Sequence, residues 1–410
     1  MANLTGVVTS GPNRAEAVST SLSGLPAFSR ALEKALTTQI MPTTLAAVST
    51  DIRVTQTREL SLPEVPADAG LLKIEMTGVC GSDWPYYLKY PRSKGPLILG
   101  HESVGRIQAL GRDAAKRFGL KEGDRVALEE YLPCGHCRYC REQEFRLCDE
   151  TDTLNFANTI RYGSTPVDIA PGLWGGFARH QYLHPNSVFH RVPDNVPAEL
   201  AAMALPLGNG VEWAYLQGKT KVGETVVIQG PGQQGLACVV AAKEAGARAI
   251  IVTGLGTPTD ARRLQLASQL GATHLVNVDA QDPLETIADI TGGEMADLVL
   301  DCAAGGPETI VTAIGLARKS GRIILGGWKF RDVPNFPSDT LVRRFLTVKG
   351  MRGHSWEAVE IGLGLIASRK YPLHQMATHV FGLDQVDLAL RTVGGEGEPD
   401  AIHCAVDPWR

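Results

Sequence analysis

The sequence of 410 residues lacks any uninterrupted apolar run of about 18 residues, the length that a membrane-spanning helix needs. It also lacks a run of basic residues, and its formal net charge is −4, so it shows no electrostatic footprint for nucleic acid. We therefore expect neither a membrane nor a nucleic-acid partner. The composition, 44% hydrophobic and 20% charged, is that of an ordinary globular protein long enough for about two or three domains.

The cysteines are spaced for metal binding rather than for a disulfide framework. Cys134, Cys137, Cys140 and Cys148 lie in CGHCRYCREQEFRLC with the spacing C-x2-C-x2-C-x7-C. Four thiolates in one short loop form a closed tetrahedral shell, which is typical of a structural zinc site. An iron–sulfur cluster and four unrelated thiols are the alternatives. Metal-binding thiols indicate a reducing compartment, so we predict a cytoplasmic protein.

A second candidate metal site lies in residues 78–102, GVCGSDWPYYLKYPRSKGPLILGHE. Cys80 follows a strand-like run, and the pair His101–Glu102 follows a short apolar run. A thiolate and an imidazole brought together are two ligands of a divalent metal, most naturally zinc. Asp83 is placed to accept the other ring N–H of His101 and fix its tautomer. Taken alone, one cysteine and one histidine are more often core residues than ligands.

The second half of the chain carries a nucleotide-binding pattern. Residues 226–229 predict a strand, Gly230-Pro231-Gly232-Gln233-Gln234-Gly235 predicts a GxGxxG turn, and residues 236–245 predict a helix. The three glycines would permit the tight turn, the approach of a pyrophosphate, and close packing of helix on strand. Further alternation of strands and helices predicts a parallel sheet with helices on both faces. The expected cofactor-binding residues are Gly230, Gly232, Gln233, Gln234, Gly235 and Thr253.

These segments, GVCGSD…GHE, the four-cysteine lobe and the GxGxxG turn, resemble the zinc-containing alcohol dehydrogenases of the medium-chain dehydrogenase/reductase superfamily. The resemblance extends from about residue 41 to the end. It implies an α/β fold with a GroES-like, mostly-β catalytic domain and a Rossmann domain with a doubly wound parallel sheet. It also implies zinc, NAD or NADP, a small-molecule alcohol or carbonyl substrate, and a homodimer or homotetramer. Cys80 and His101 would then bind a catalytic zinc, and Ser82 would bond the substrate oxygen.

The resemblance also predicts the domain organisation. We expect residues 206–352 to form the Rossmann domain. Residues 41–205 and 353–410 would form the GroES-like domain, which carries the structural-zinc lobe 134–148. Residues 1–40 are rich in Ser, Thr, Ala and Gly, and we expect a disordered or upstream-start extension there. An oligomer arm and a targeting segment are the alternatives.

Leu205 is the clearest departure from the family pattern. The third protein ligand of the catalytic zinc, usually Cys, Glu or Asp, stands about 25 residues before the GxGxxG turn, which in this sequence is Leu205. Leucine cannot ligate a metal, so we expect Glu102 or a water to complete the shell. The alternatives are a rearranged Glu212 or Asn209, or a catalytic metal that is weak or absent.

Two further departures concern the cofactor and the substrate. Thr253 stands where an acidic residue normally bonds the adenosine ribose, with Asp260, Arg262 and Arg263 close behind, and we favour NAD over NADP. Trp84, Tyr86 and Tyr87 replace a proton-relay histidine. The proton would leave by Ser82 and the cofactor ribose, or by water. These aromatic residues, with Trp174, either wall a pocket for a bulky or apolar alcohol or pack in a loop.

The expected function is hydride transfer between an alcohol, or its aldehyde or ketone, and a nicotinamide cofactor. The nearest alternative is a zinc-independent NADPH-dependent reductase of the same fold, of the quinone or enoyl reductase type, which Leu205 would favour. An alternative of another class is a non-enzymatic binding or scaffold protein that has kept the fold.

Overall fold

A computed structural model of the protein describes residues 42–89, 95–152 and 159–410. The expectations for residues 1–40 therefore lie outside the described residues. The strands of the described part are Thr43–Asp51 (β1), Val54–Ser61 (β2), Gly70–Val79 (β3), Leu97–Ile98 (β4), Glu102–Leu110 (β5), Arg125–Leu128 (β6), His180–Leu183 (β7), Phe189–Arg191 (β8), Thr225–Gln229 (β9), Ala249–Gly254 (β10), His274–Asn277 (β11), Ala296–Asp301 (β12), Ala317–Leu325 (β13), Thr347–Gly350 (β14), Ala377–Gly382 (β15) and His403–Asp407 (β16).

The α-helices of the described part are Asp83–Lys89, Arg112–Phe118, Arg138–Arg141, Ala198–Ala201, Ala204–Gly210, Gln233–Glu244, Pro258–Leu270, Pro283–Thr291, Glu308–Leu316, Ser338–Arg344, Trp356–Ser368 and Val386–Val393. Short 3-10 helices are Phe145–Leu147, Leu373–Gln375 and Leu383–Gln385, and Val211–Gln217 is a π-helix. Within the described residues, no helix is both long and apolar enough to cross a membrane.

A seven-stranded sheet is built from both ends of the described chain. Its order is β15-β16-β3-β5-β6-β8, and β7 pairs with β3. The pairings of β3, β5, β6 and β8 are antiparallel, and a three-stranded sheet of order β2-β1-β4 accompanies them. Strand β16, near the end of the chain, pairs with β3 next to Cys80. The sheet therefore brings the C-terminal segment next to Cys80 of the second candidate metal site.

The six-stranded sheet confirms the predicted doubly wound fold. Its order is β11-β10-β9-β12-β13-β14, and the five pairings are all parallel. This order reverses direction between β9 and β12, which is where such sheets bind nucleotides. The GxGxxG turn directly follows β9, so the fold places it at that switch point.

Alternating side chains of the parallel sheet explain why both of its faces are covered. Val226 and Ile228 of β9 pack in one hydrophobic cluster with helix Gln233–Glu244, whereas Val227 packs in another with Ile287 and Ile310. Successive side chains of a strand point to opposite faces, so a continuous apolar strand needs helices on both sides. This is the physical basis of the helix–strand alternation in the sequence.

Residues Thr43–Arg410 form one compact unit. Within this unit, the strands of the parallel sheet span residues 225–350, and the strands of the other two sheets lie at 43–191 and 377–407. The exact division at residues 205 and 352 stays a prediction.

Candidate functional site

Asp83 organises the turn that follows β3. Its buried carboxylate accepts a hydrogen bond from the backbone N–H of Cys80 at 3.0 Å and one from Gly100 at 3.3 Å. The same carboxylate lies 3.3 Å from Nδ1 of His101. Asp83 therefore orients the imidazole so that Nε2 is the nitrogen free to bind a metal, which is the usual arrangement around a ligating histidine.

The structure brings Cys80, His101 and Glu102 together, with one donor atom of each within 4.8 Å of the others. Ser82 Oγ donates a hydrogen bond to Cys80 Sγ at 3.2 Å and lies 3.3 Å from His101 Nε2. Glu102 reaches the cluster because it opens β5 opposite Gly78 of β3, where any side chain would clash with its carboxylate. The pairing of two strands thus fixes the distance between the cysteine and the carboxylate.

The Glu102 carboxylate is the part of this cluster that most needs a cation. It is 4% exposed, and its Oε2 has no hydrogen-bond partner among the described residues. Burial raises the pKa of Glu102 to about 8, against the opposing effect of His101. A buried carboxylate without a partner is costly unless a cation neutralises it. With a thiolate and an imidazole beside it, this donor set fits zinc.

Leu205 lies in helix Ala204–Gly210, is 4% exposed and packs in the hydrophobic core. Asn209 and Glu212, the two residues considered as zinc ligands in its place, form hydrogen bonds with other residues. Asn209 contacts His354 and Gln234.

Glu212 is fully buried and accepts hydrogen bonds from Arg146, Gln217 and Ser355. Because both its carboxylate oxygens are engaged, Glu212 would have to abandon several buried hydrogen bonds to reach a metal. These contacts argue against Glu212 and Asn209 as completing ligands.

Glu130, which follows β6, is a site residue that the sequence did not predict. Its Oε2 lies 3.8 Å from His101 Nε2 and 2.5 Å from Nη2 of Arg161. Burial alone raises the pKa of Glu130, but the charges of Arg161 and His101 outweigh it and lower the pKa to about 2. The available signal was a pair of acidic residues directly after a buried strand, but nothing in the sequence showed that Glu130 faces His101.

The neighbouring Glu129 points into a second buried network. It lies between His190 Nε2 at 3.1 Å and His354 Nε2 at 2.9 Å. Nδ1 of His190 meets Glu360 at 2.6 Å. Burial raises the pKa of Glu129, but His354 and His190 outweigh it and lower the pKa to about 2. This network joins β6 and β8 to the segment before helix Trp356–Ser368.

The GxGxxG turn has the geometry that a dinucleotide needs. Gly230 has a φ of +94°, which favours glycine, and a side chain at Gly235 would clash with the carbonyl oxygen of Gly230. A Cβ at Gly232 would meet no atom of the described residues within 4 Å, so the space beside it is open to a ligand. The helix begins at Gln233, earlier than the predicted residue 236. The turn is therefore the N-terminus of a 12-residue helix.

The other predicted cofactor residues flank this turn. Gln233 lies 3.2 Å from Nδ1 of His403, and Gln234 accepts a hydrogen bond from Asn209. Thr253 is buried at the end of β10, and its carbonyl accepts the N–H of Gly230 at 3.0 Å. His403 is a residue that the sequence did not single out, since only the pairing of β16 with β3 brings it to this place.

The four-cysteine lobe forms a compact thiol cluster. Cys134, Cys137, Cys140 and Cys148 have their sulfurs within 4.8 Å of one another, which is compatible with zinc. Burial raises the pKa of Cys137, but backbone N–H groups of Cys140 and Asp149 outweigh it and lower the pKa to about 6. Arg146, between the third and fourth cysteines, reaches Glu212 at 2.8 Å and ties the lobe to the π-helix.

The aromatic residues near Cys80 pack mainly in the core. Tyr87 is 2% exposed, and its hydroxyl donates to the carbonyl of Arg53. Trp174 is 2% exposed, and its indole N–H donates to the carbonyl of Ile169. For these two residues, the contacts favour the interpretation that the aromatic side chains pack in a loop rather than wall a substrate pocket. They therefore give no support to a bulky or apolar alcohol as the substrate.

Comparisons with known proteins agree with this geometry. The family described as "Alcohol dehydrogenase GroES-like domain" matches residues 66–194, and the family described as "Zinc-binding dehydrogenase" matches residues 235–368. A Mycobacterium tuberculosis protein named as a probable alcohol dehydrogenase is 38% identical over 355 residues, covering 86% of this chain and 95% of the relative. Sorbitol dehydrogenase of Bacillus subtilis is 35% identical over 287 residues, covering 69% of this chain and 74% of the relative.

A solved structure shows the same fold. The crystal structure of an alcohol dehydrogenase from Thermotoga maritima superimposes with a TM-score of 0.78 at 27% identity, covering 89% of this chain and 99% of that chain. The family matches cover both the segment with Cys80 and His101 and the helix that follows the GxGxxG turn. The chain therefore belongs to the zinc-type medium-chain dehydrogenase/reductase family and is an alcohol dehydrogenase that uses zinc and NAD or NADP.

Proposed function

We propose that Cys80, His101 and Glu102 hold the catalytic zinc of this enzyme and that Ser82 relays the proton of the alcohol, accepting it while its own hydroxyl proton passes to the cofactor ribose or to water. The observation that carries the proposal is the meeting of three donor atoms within 4.8 Å. One of them belongs to a buried carboxylate with an oxygen that has no hydrogen-bond partner in residues 42–89, 95–152 and 159–410. When bound, the zinc supplies a Lewis acid to the alcohol oxygen and the nicotinamide supplies the hydride acceptor.

The chain's own residues position the substrate and move its proton. Ser82 Oγ lies 3.2 Å from Cys80 Sγ and 3.3 Å from His101 Nε2, so a hydroxyl that approaches these two donors meets Ser82 directly. Asp83 holds the imidazole in place from the opposite side, at 3.3 Å from Nδ1. Proton acceptance by a positioned side chain is a common contribution to catalysis.

The cofactor is proposed to be NAD, bound with its pyrophosphate at the turn from Gly230 to Gly235. A 2′-phosphate would need a free cationic side chain near the end of β10. Arg263 instead donates to the carbonyl of Ala401 and faces Asp260, and Arg262 faces Asp400 at 3.3 Å. Both arginines are engaged, which supports NAD over NADP.

The enzyme is proposed to be a homodimer or homotetramer. Strand β14 is an edge of the six-stranded sheet, and Val342 and Phe345 just before it are 74% and 80% exposed. An edge strand beside exposed apolar side chains is a natural surface for a second copy of the chain. We also propose a cytoplasmic location, because all eight cysteines are free thiols.

Two measurements on purified protein test the core of this proposal. Elemental analysis should give two zinc ions per chain, and calorimetric titration should give tighter binding of NADH than of NADPH. A single zinc per chain with full turnover would overturn the catalytic-zinc assignment and point to the zinc-independent reductase. Absence of dinucleotide binding would point to a non-enzymatic binding or scaffold protein.

A further inference from the structure

Glu130 borders the proposed zinc site without belonging to its donor set. Its Oε2 lies 3.8 Å from Nε2 of His101, and Ser82 Oγ lies 3.3 Å from the same nitrogen. Cys80, His101 and Glu102 already supply three protein donors, and a catalytic zinc site keeps its fourth position open for the substrate. A substrate whose hydroxyl approaches Ser82 therefore also comes close to the carboxylate of Glu130.

Arg161 and Glu130 form a charged pair at the edge of this space. Nη2 of Arg161 lies 2.5 Å from Oε2 of Glu130, and 14% of each side chain is exposed. The guanidinium lies 4.6 Å from the ring centroid of Tyr131. Thr165 Oγ1 accepts the N–H of Arg161 and donates to its carbonyl, both at 2.7 Å. A fixed polar pair that keeps part of its surface accessible can orient a molecule bound in the site.

Backbone contacts hold this pair beside the imidazole. The N–H of Tyr162 donates to the carbonyl of Glu130 at 3.1 Å, so the segment that carries Arg161 runs alongside the residues after β6. A Cβ at Gly163 would approach Cβ of His101 to 3.2 Å, which shows how closely the same segment packs against the histidine. The position of the pair is therefore fixed by two packed segments of backbone.

The chemistry of the pair favours a neutral hydroxyl group on the substrate. A hydroxyl can donate to the carboxylate of Glu130 and accept from the guanidinium of Arg161 at the same time. An anionic group would be repelled by the carboxylates of Asp83, Glu102 and Glu130, whereas a cationic group would be repelled by the guanidinium. An apolar group would displace water from the pair without replacing the hydrogen bonds of that water.

We propose that Glu130 and Arg161 bind a second hydroxyl of the substrate, so that the enzyme prefers a vicinal diol or a longer polyol to a simple alcohol. The reacting hydroxyl lies beside Ser82, and the hydroxyl on the adjacent carbon bonds with Glu130 and Arg161. The inference rests on the proposed function, because it takes the site beside Cys80 and His101 as the place of hydride transfer.

The first test compares substrates that differ by one hydroxyl, with the full-length enzyme and NAD. Propylene glycol carries the hydroxyls of both n-propanol and isopropanol, so it is matched to each of them. We expect its kcat/KM to exceed that of either propanol by about tenfold or more, because a site built to bond a hydroxyl rejects an analogue that lacks it. Calorimetric titration of the enzyme–NADH complex should give the same order of affinities without turnover.

Glu130→Gln tests the residue itself. It keeps the shape of the side chain but removes the charge, so the affinity for propylene glycol should fall about tenfold while the affinities for the two propanols change little. The loss should appear mainly in KM, and the zinc content should equal that of wild type. Glu75→Gln is the matched control, because Glu75 on β3 also pairs with an arginine, Arg125, at 2.7 Å. It should keep the wild-type preference.

A double variant tests the pair without leaving one charge unpaired. Glu130→Leu combined with Arg161→Met removes both charges together. We expect this variant to bind the propanols more tightly than propylene glycol. If it fails to fold, Glu130→Gln and the comparison of substrates on wild-type enzyme still decide the question.

Failure of this inference is distinct from failure of the proposed function. Wild-type enzyme that holds two zinc ions and NADH but uses a propanol as well as propylene glycol would overturn only the diol preference. A diol preference that Glu130→Gln leaves unchanged, or loss of zinc from that variant, would overturn the role of Glu130. Wild-type enzyme with one zinc per chain and full turnover would overturn the proposed function and this inference together.

Two further substrates test the choice of a neutral group. Alaninol carries an ammonium group in place of the second hydroxyl of propylene glycol, and lactate carries a carboxylate. We expect both to bind the wild-type enzyme more weakly than propylene glycol. Tighter binding of alaninol or of lactate would overturn the assignment of the pair to a hydroxyl.

Discussion

Glu102 is the single residue on which the proposed metal site depends most directly. In the part of the chain that the structure describes, its buried Oε2 has no hydrogen-bond partner, so removing the charge removes the donor and the reason for a cation. We predict that Glu102→Gln loses the second zinc and the activity together, whereas Leu205→Cys and Leu205→Glu bind zinc more tightly than wild type. Zinc analysis and chelator competition on the same preparations measure both effects. A Glu102→Gln enzyme with two zinc ions would show that other donors suffice.

Gly232 offers a clean test of the cofactor site. A Cβ there meets no atom within 4 Å in the described part of the chain, and the residue has a φ of −68° and a ψ of 178°, which any residue adopts. We predict that Gly232→Val keeps the fold and the melting temperature but weakens NAD binding by about tenfold or more, since the branched side chain fills the space of the pyrophosphate. Titration with both dinucleotides measures it. Unchanged binding curves would refute the assignment of the turn.

Gly235→Val is the contrasting variant. A side chain at Gly235 would clash with the carbonyl oxygen of Gly230, so this substitution should lower the yield of folded protein. The pair of variants separates a glycine kept for a ligand from a glycine kept for packing.

At the scale of residues, the sequence predicted the parts of the site that lie within one local motif. Cys80, His101 and the glycines of the turn are local patterns with a fixed chemical meaning. Glu130 and His403 were missed, because each reaches the site through strand pairing between distant segments. Residues that are far apart in the sequence leave no local pattern that shows their contact. Glu130 and His403 can therefore be assigned to the site only once the fold is known.

The four-cysteine lobe is the element whose role we predict to be stability. Structural zinc sites contribute folding free energy outright. We predict that Cys137→Ser lowers the melting temperature by several degrees or abolishes soluble expression, because it opens a closed thiolate shell. Differential scanning calorimetry with zinc analysis measures it. A Cys137→Ser enzyme with wild-type zinc content and stability would contradict a structural role.

Strands β6 and β8 are joined to helix Trp356–Ser368 by the buried Glu129 network. Removing one partner of a buried ion pair costs about 3–5 kcal/mol, because the remaining charge is left uncompensated. We therefore predict that Glu129→Gln lowers the free energy of unfolding by roughly this amount near pH 6, as measured by urea denaturation. Glu360→Gln, at the 37% exposed end of the network, should cost less.

The Glu129 network also predicts how the difference in unfolding free energy between wild type and Glu129→Gln depends on pH. Burial lowers the pKa of His190, but Glu129 and Glu360 outweigh it and raise the pKa. The stabilisation from protonated His190 is therefore complete below its ordinary pKa of 6.5 and is lost as the pH rises through the raised value. The stability difference between wild type and Glu129→Gln should narrow above that pH. A difference that stays constant from about pH 6 to pH 9 would contradict it.

Elements were predictable to different degrees. Strand β9 and helix Gln233–Glu244 follow the predicted segments 226–229 and 236–245 within a few residues, because an apolar run, a glycine-rich turn and a following helix form a local pattern. The π-helix Val211–Gln217 was not predicted. Glu212 within it bonds with Arg146 and Ser355, and no local periodicity records such contacts between distant segments.

For the whole molecule, the exposed edge of the parallel sheet predicts how copies assemble. Phe345 is 80% exposed beside β14, and a second copy would cover it. We predict that Phe345→Glu reduces the mass measured by light scattering to that of a smaller assembly, while zinc content stays unchanged. Val222→Glu is the control, since Val222 is 86% exposed and lies outside β14 and its adjoining segment. An unchanged mass for Phe345→Glu would place the interface elsewhere.

At this scale the sequence predicted the class of sheet but not its strand order. Alternating strands and helices require a parallel sheet, yet the reversal between β9 and β12 emerges only in three dimensions. The family resemblance predicted that the C-terminal segment returns to the GroES-like domain. It did not predict that β16 would pair with β3.

The contact between Arg146 and Glu212 has a consequence for the long-term stability of the enzyme. Arg146 sits inside the four-cysteine lobe, and Glu212 also accepts the N–H and hydroxyl of Ser355, the N-cap of helix Trp356–Ser368. Oxidation or chelation of the lobe would release Arg146 and leave Glu212 as a buried charge at the root of that helix. We therefore predict that a metal ion held by the lobe, outside the site of turnover, sets the storage half-life of the enzyme, and that storage with zinc and a reductant lengthens it.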